Sequence, residues 1–190
     1  MTAAEVSSVR KRATAPNGMS AVIRPCNFDE LAKHVVEASK SYYDAVVALA
    51  AKCVVECPPD APNAARFSFG RGALKLAGEG KEATTVSEHD LSDEAAEAFT
   101  KKNDETATCI RYDGKDYLFR TPLPGHLDSF IRGKMKSSTA IDMNRDFLKR
   151  HIFFGDLDAL MRDQPFGVTA ITDEIVTRAG LSFEAELGEV

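Results

Sequence analysis

The sequence predicts an α+β protein, mainly helical, made of two similar β-hairpin-plus-helices units. Three observations carry this. Two turn pairs, Asn17-Gly18 and Asp113-Gly114, each lead into a β-rich run that ends in an arginine, Arg24 or Arg120. These positions stand 96 residues apart, and so do Leu31 and Leu127, and Val35 and Ile131. Each hairpin is then followed by two stretches with the apolar spacing of helices. An internal duplication is the preferred reading. It gives a first unit over 13–80, an acidic linker with a short helix over 81–104, and a second unit over 105–190.

The elements follow in chain order. Asn17-Gly18 suits a two-residue hairpin turn, because glycine takes positive φ without steric cost. The β-branched run Ala21-Val22-Ile23 is the outgoing strand. Asn27 with Glu30 three residues on forms a capping box for a helix that places Phe28, Leu31, Val35 and Ala38 on one face. The stretch SYYDAVVALAAKCVVEC reads as a second helix, with Tyr42 or Tyr43, Val46, Leu49, Ala50 and Cys53 inward. Beyond it Pro and Gly are frequent, so only Gly72–Ala77 is expected to make a helical turn. In the linker, Ser92 caps a helix running to about Phe99.

The second unit repeats the order. Strands Thr106–Tyr112 and Lys115–Arg120 flank Asp113-Gly114, and Pro122 ends the ladder. Leu127, Phe130, Ile131 and Met135 then share a helical face, with Pro124 in the first turn. The stretch TAIDMNRDFLKRHIFF is the next helix, with Ile141, Phe147, Leu148 and His151 inward. Cys53 and His151 are offset by 98, so the loop before this helix is slightly longer. Asp156 caps a short helix, Pro165 breaks it, and Val168–Ala179 is the last helix, stopped by Gly180. LSFEAELGEV alternates at strand period; it covers a sheet edge or awaits another molecule. A lone hairpin is marginal in water, so the two hairpins are expected to pair in one antiparallel sheet.

Composition limits function. The chain has 190 residues, a net charge of −5 and a pI near 5.4, which gives no electrostatic reason to approach nucleic acid. The basic triplet Arg10-Lys11-Arg12 reads as solvated tail charge. No stretch approaches the roughly 18 apolar residues needed to span a bilayer, and the amino-terminal stretch lacks the apolar core of a signal peptide. A cytoplasmic location is expected, with Cys26, Cys53, Cys57 and Cys109 as thiols.

Catalytic and cofactor chemistry is hard to find. FGRGALKLAGEG is Gly-rich but lacks the Gly-Lys-Ser/Thr ending of a phosphate loop. Cys53 and Cys57 have the i, i+4 spacing of a metal pair and could meet His34, but no fourth ligand has suitable spacing. His34, His89, His126 and His151 stand at no spacing that specifies a triad. No catalytic residue, cofactor or metal is expected. Arg24 and Arg120 share one slot; the reading preferred for both is a structural guanidinium satisfying carbonyls at the strand exit, over partner contact.

The second unit, DGKDYLFRTPLPGHLDSFIRGKM followed by DFLKRHIFFGDLDALMRDQPFGVTAITDEIVTRAG, resembles small tail assembly chaperones of long-tailed bacteriophages. The first, AVIRPCNFDELAKHV with AVVALAAKCVVECPPD, has the same order. The departure from that family is the doubling, since its members are often a single unit. The resemblance implies a non-enzymatic protein of the bacterial host cytoplasm. It would bind the tape-measure protein, keep its apolar helices soluble and help recruit tail-tube subunits, with self-association allowed. The alternatives are a virion structural or connector protein of a tail or head–tail junction, and a generic protein-binding adaptor. The expected contact residues are Phe153, Phe154, Phe166, Leu181, Phe183 and Leu187.

Overall fold

The computed structural model describes residues 7–102, 107–123, 125–127, 129–130 and 140–178. The chain is mixed α+β with two antiparallel sheets. It divides into two compact units. The first gathers the described residues up to Lys81 together with Asp156–Val168; the second gathers those of Glu82–Gly155 and from Thr169 on. No helix among the described residues is long and apolar enough to cross a membrane.

In the first unit, β1 (Lys11–Thr14) and β2 (Ser20–Ile23) form a hairpin, and β3 (Val54–Glu56) pairs antiparallel with β2. Lys11 and Arg12 are therefore strand residues and not frayed tail. The turn differs from expectation. Ala15 N–H reaches Met19 O at 2.8 Å and Gly18 N–H reaches Ala15 O at 2.9 Å, with Gly18 at φ +83°. That is a three-residue loop, a type I turn closed by a left-handed glycine. Pro16 sets it, because its fixed φ suits the second position of a type I turn.

Helix α1 (Phe28–Ala38) starts with the expected capping box. Asn27 Oδ1 accepts from Glu30 N–H, and a Glu30 carboxylate oxygen accepts from Asn27 N–H, both at 3.0 Å. Its buried face is Phe28, Leu31 and His34; Val35 points out. Helix α2 (Tyr42–Cys53) buries Ala45, Val46, Leu49, Ala50 and Cys53, while Tyr42 and Tyr43 are exposed, against expectation. The apolar run after Cys53 turns into β3 instead of prolonging the helix.

The largest correction is α3, a helix over Asn63–Leu76 where a single turn was expected. Pro62 stands just before it, where a missing N–H costs nothing. Its glycines mark close packing and not a break: a Cβ on Gly70 would lie 2.3 Å from Val46 O on α2. Phe69 and Ala65 join Ala15, Ala21, Ile23, Ala50 and Ala61 in the core of this unit. Helix α6 (Leu157–Asp163), capped by Asp156 through Ala159 N–H at 2.8 Å, belongs to the first unit and not to the second.

The second unit holds β4 (Ala83–Thr85), a 3-10 turn (Glu88–Asp90), α4 (Asp93–Lys102), β5 (Thr108–Tyr112), β6 (Lys115–Phe119), α5 (Ala140–His151), β7 (Ile152–Phe154) and α7, which runs Phe166–Arg178 across the unit boundary. Its sheet order is β4-β5-β6-β7. The expected linker is thus built in: β4 is an edge strand, and Ala95 of α4 packs on Cys109 and Leu118. The β5–β6 turn is the expected two-residue one, with Asp113 at φ 50° and Gly114 at φ 75°. Residues 125–127 and 129–130 are helical, with Leu127 and Phe130 buried. Val168 is buried, as are Ile171, Ile175 and Val176 of the second unit's part of α7, as their spacing predicts. The hairpins do not share a sheet among the described residues; each finds its third strand in its own unit, so neither is left as a lone pair. Pro124, Ile131, Met135 and Gly180 lie outside the described residues.

Candidate functional site

Each unit places an arginine at the exit of an inner strand, β2 or β6, directly after a bulge against the strand beside it, β3 or β7. Val22 pairs with Glu56 and Ile23 with Val54, with the register shift between them. Leu118 pairs with Phe154 and Phe119 with Ile152, with the shift at the same step. Arg24 N–H then donates to Cys53 O at 3.0 Å, and Arg120 N–H to His151 O at 2.9 Å. The backbone slot is the same in both units, and the side chains in it are not.

In the first unit the slot is closed. The Arg24 guanidinium forks onto Glu30, with its two terminal nitrogens 2.8 and 2.7 Å from the two carboxylate oxygens. It also donates to Pro25 O at 3.0 Å and Lys52 O at 2.8 Å. This is the structural arginine that the sequence suggested. Burial pushes the Glu30 carboxyl up, but the Arg24 fork and the Asn27 N–H outweigh it and hold it below its ordinary value. Burial, with Glu30 adding to it, lifts the Cys53 thiol to about 12, so it is no ready nucleophile. Cys26 is likewise pushed far up by burial. Cys57 is exposed and donates to Pro58 O at 3.2 Å. Among the described residues no three His, Cys, Asp or Glu side chains gather as a metal site would need.

In the second unit the slot opens into a cavity of about 530 Å³. His126 stands where Glu30 does, 96 residues on, and exposed Leu123 where the capping Asn27 does. Arg120, His126, Arg150 and His151 line the cavity, over a floor of Phe130 and Phe147. His126 and His151 meet edge to face with ring centroids 5.8 Å apart, and Phe147 lies 4.6 Å from His151. His151 is buried, and its Nδ1–H donates to Phe147 O at 2.8 Å, which fixes the ring and leaves Nε2 as the other nitrogen. Asp146 also lines the cavity but is held by Arg145 at 2.9 Å. An arrangement of this charge can hold an anion.

The expected contact residues fare differently. Phe153 and Phe154 of β7 are half-buried and pack against Ala95, Cys109 and Leu118. Phe166 is half-buried at the start of α7. Leu181, Phe183 and Leu187 lie outside the described residues. Among the described residues the exposed large apolar side chains are instead mostly in the first unit: Val35 and Val36 at 47 %, Tyr42 at 47 % and Tyr43 at 45 %. Phe67 of α3 stacks on Tyr43 with centroids 5.0 Å apart and meets Tyr42 edge to face at 6.2 Å. Arg71 lies over the Tyr42 ring at 5.9 Å. Helical spacing places Val35 on the face of Phe28 and Leu31, so its exposure was not readable from the sequence.

The chain matches no family model, no curated protein and no solved structure.

Proposed function

We propose that this chain is a non-enzymatic tail assembly chaperone of a long-tailed bacteriophage, acting in the host cytoplasm on the tape-measure protein and aiding recruitment of tail-tube subunits. The observation that carries the reading is the exposed patch of Val35, Val36, Tyr42 and Tyr43, backed by Phe67. Exposed apolar and aromatic side chains on two helices that pack together suit an amphipathic client helix. The acidic net charge of −5 supports it by keeping a loaded complex soluble. The half-buried Phe153, Phe154 and Phe166 add apolar surface of the same kind, while Leu181, Phe183 and Leu187 extend the proposed contact set.

The reading includes one folding pattern written twice. It is supported by the common bulge step, by the matching bonds from Arg24 and Arg120, and by the buried faces of the last helices. Phe69, Gly70, Ala73 and Leu74 on α3 stand 102 residues before Ile171, Thr172, Ile175 and Val176 on α7.

Co-expression of the full chain with tape-measure fragments, followed by pull-down, tests the reading. Stable capture is expected, reduced at least tenfold in the double variant Tyr42→Ser, Tyr43→Ser. No association with any fragment would sink it. Mass spectrometry of purified particles is expected to find no copies of the chain; stoichiometric copies would favour a virion component.

A further inference from the structure

We propose that the cavity of the second unit is a binding site for a carboxylate that carries an apolar group. The argument is independent of the chaperone reading and comes from the two arginine slots. In the first unit the chain supplies the carboxylate itself: Glu30 fills the Arg24 fork at 2.7 and 2.8 Å. In the second unit the backbone slot is retained, but His126 takes the glutamate's place. Arg120 makes no side-chain hydrogen bond or ion pair among the described residues, and neither does Arg150. Both line a cavity of about 530 Å³, within the size range of small-ligand sites.

Arginine presents a planar fork that matches a carboxylate in two parallel bonds. His151 is buried and held by Phe147 O, so its ring is pre-set for a ligand and loses little freedom on binding. Phe130 and Phe147, 4.5 Å apart and tilted, supply an apolar floor against which only a carboxylate with a hydrocarbon part gains. Among the described residues the one carboxylate lining the cavity, Asp146, is 2.9 Å from Arg145 and partly neutralised by it. A charge of this sign is out of keeping with a chain of net −5, which makes the cavity the natural place for an acidic ligand to settle. Such a group occurs on small aryl or alkyl acids and at the carboxyl end of a peptide.

The test uses the full chain and an isosteric pair, acetyl-phenylalanine and acetyl-phenylalaninamide, followed by ¹⁵N NMR of the arginine and histidine side chains. Saturable shifts at Arg120, Arg150, His126 and His151 are expected with the acid and none with the amide. Arg120→Gln and Arg150→Gln should each weaken the acid roughly ten- to hundredfold, the loss of one charge-assisted pair. His126→Glu puts the carboxylate back in the chain; it should raise the thermal midpoint and abolish binding. The backbone spectrum of each variant reports that the fold is kept. Equal binding of acid and amide would overturn the proposal, as would unchanged affinity in both arginine variants, tighter binding of inorganic phosphate, or a His126→Glu variant that still binds. A hexapeptide with a free terminal Phe separates the sources: tighter binding than acetyl-phenylalanine assigns the site to a chain end, equal binding to a small acid.

Discussion

The two arginine slots share a backbone and differ in what fills them. Around Arg24 both terminal nitrogens of the guanidinium are answered from within the chain, by Glu30, Pro25 O and Lys52 O. Around Arg120, where His126 and not a glutamate stands six positions on, the guanidinium has no side-chain bond among the described residues and a cavity lies beside it. A strand-exit arginine is therefore no signature of function by itself. What decides is the residue six positions later, which either closes the fork or leaves it open to a ligand.

The sharpest way to break this comparison is to remove each arginine in turn. Arg24→Gln leaves the Glu30 carboxylate half-buried without its cation and is expected to cost about 3 kcal/mol by urea denaturation. Arg120→Gln should change stability by less than about 0.5 kcal/mol, because an exposed side chain with no partner among the described residues contributes little. Equal costs would show that the two slots are energetically alike.

The helix contacts give the next effect. Gly70→Val drives a side chain into Val46 O and should cost about 2–3 kcal/mol, with α3 displaced from α2. Thr172 of α7, 102 residues after Gly70, is fully buried, so its helix face accommodates a β-branched residue. Thr172→Gly is expected to cost about 1–2 kcal/mol, through lost packing and a looser helix.

Acid sharpens the contrast between units. Burial holds the His34 imidazole of the first unit below its ordinary 6.5, so it is neutral in the fold. A group depressed on folding contributes stability above its unfolded value, and that stability fades as pH falls through the folded one. The first unit should therefore begin to weaken below pH 6.5. The first unit weakens further below about pH 4.5 as Glu30 takes up a proton, and the second weakens only below about pH 3.8 as Asp116 does. Burial pushes the Asp116 carboxyl up, but Arg111 at 2.7 Å and Ser92 N–H at 2.7 Å outweigh it. Amide exchange followed from pH 7 to 4 should show faster opening in α1 and α2 before the β5–β6 hairpin. The reverse order would remove His34 as the cause.

Features with strong local chemistry were readable from the sequence. Asp113-Gly114 made the expected turn, Asn27 and Glu30 made the capping box, and Val168, Ile171, Ile175 and Val176 are buried as their spacing required. Three-residue strands were not readable. Val54–Glu56 and Ile152–Phe154 are too short for period two to show, and each directly follows a helix, so their apolar residues read as more of it. Pro16 changed the first turn by acting one residue before the pair that drew attention. Helix α3 was hidden because Gly70 and Gly72 usually signal a break, whereas here Gly70 lets α3 approach the backbone of α2 at Val46 and Gly72 makes room for the Ile23 side chain. The cavity was hidden for a related reason. Its residues come from positions 120 to 151, and only the strand pairing brings Arg120 beside His151.

The return of Asp156–Val168 to the first unit has a consequence for biosynthesis. A nascent chain that has emerged as far as α3 still lacks α6, and cannot complete that unit until about residue 168 has left the ribosome. The early strands and helices must wait for this late segment, so translation truncated anywhere before α6 yields a first unit left incomplete, a substrate for proteases and not a smaller working version.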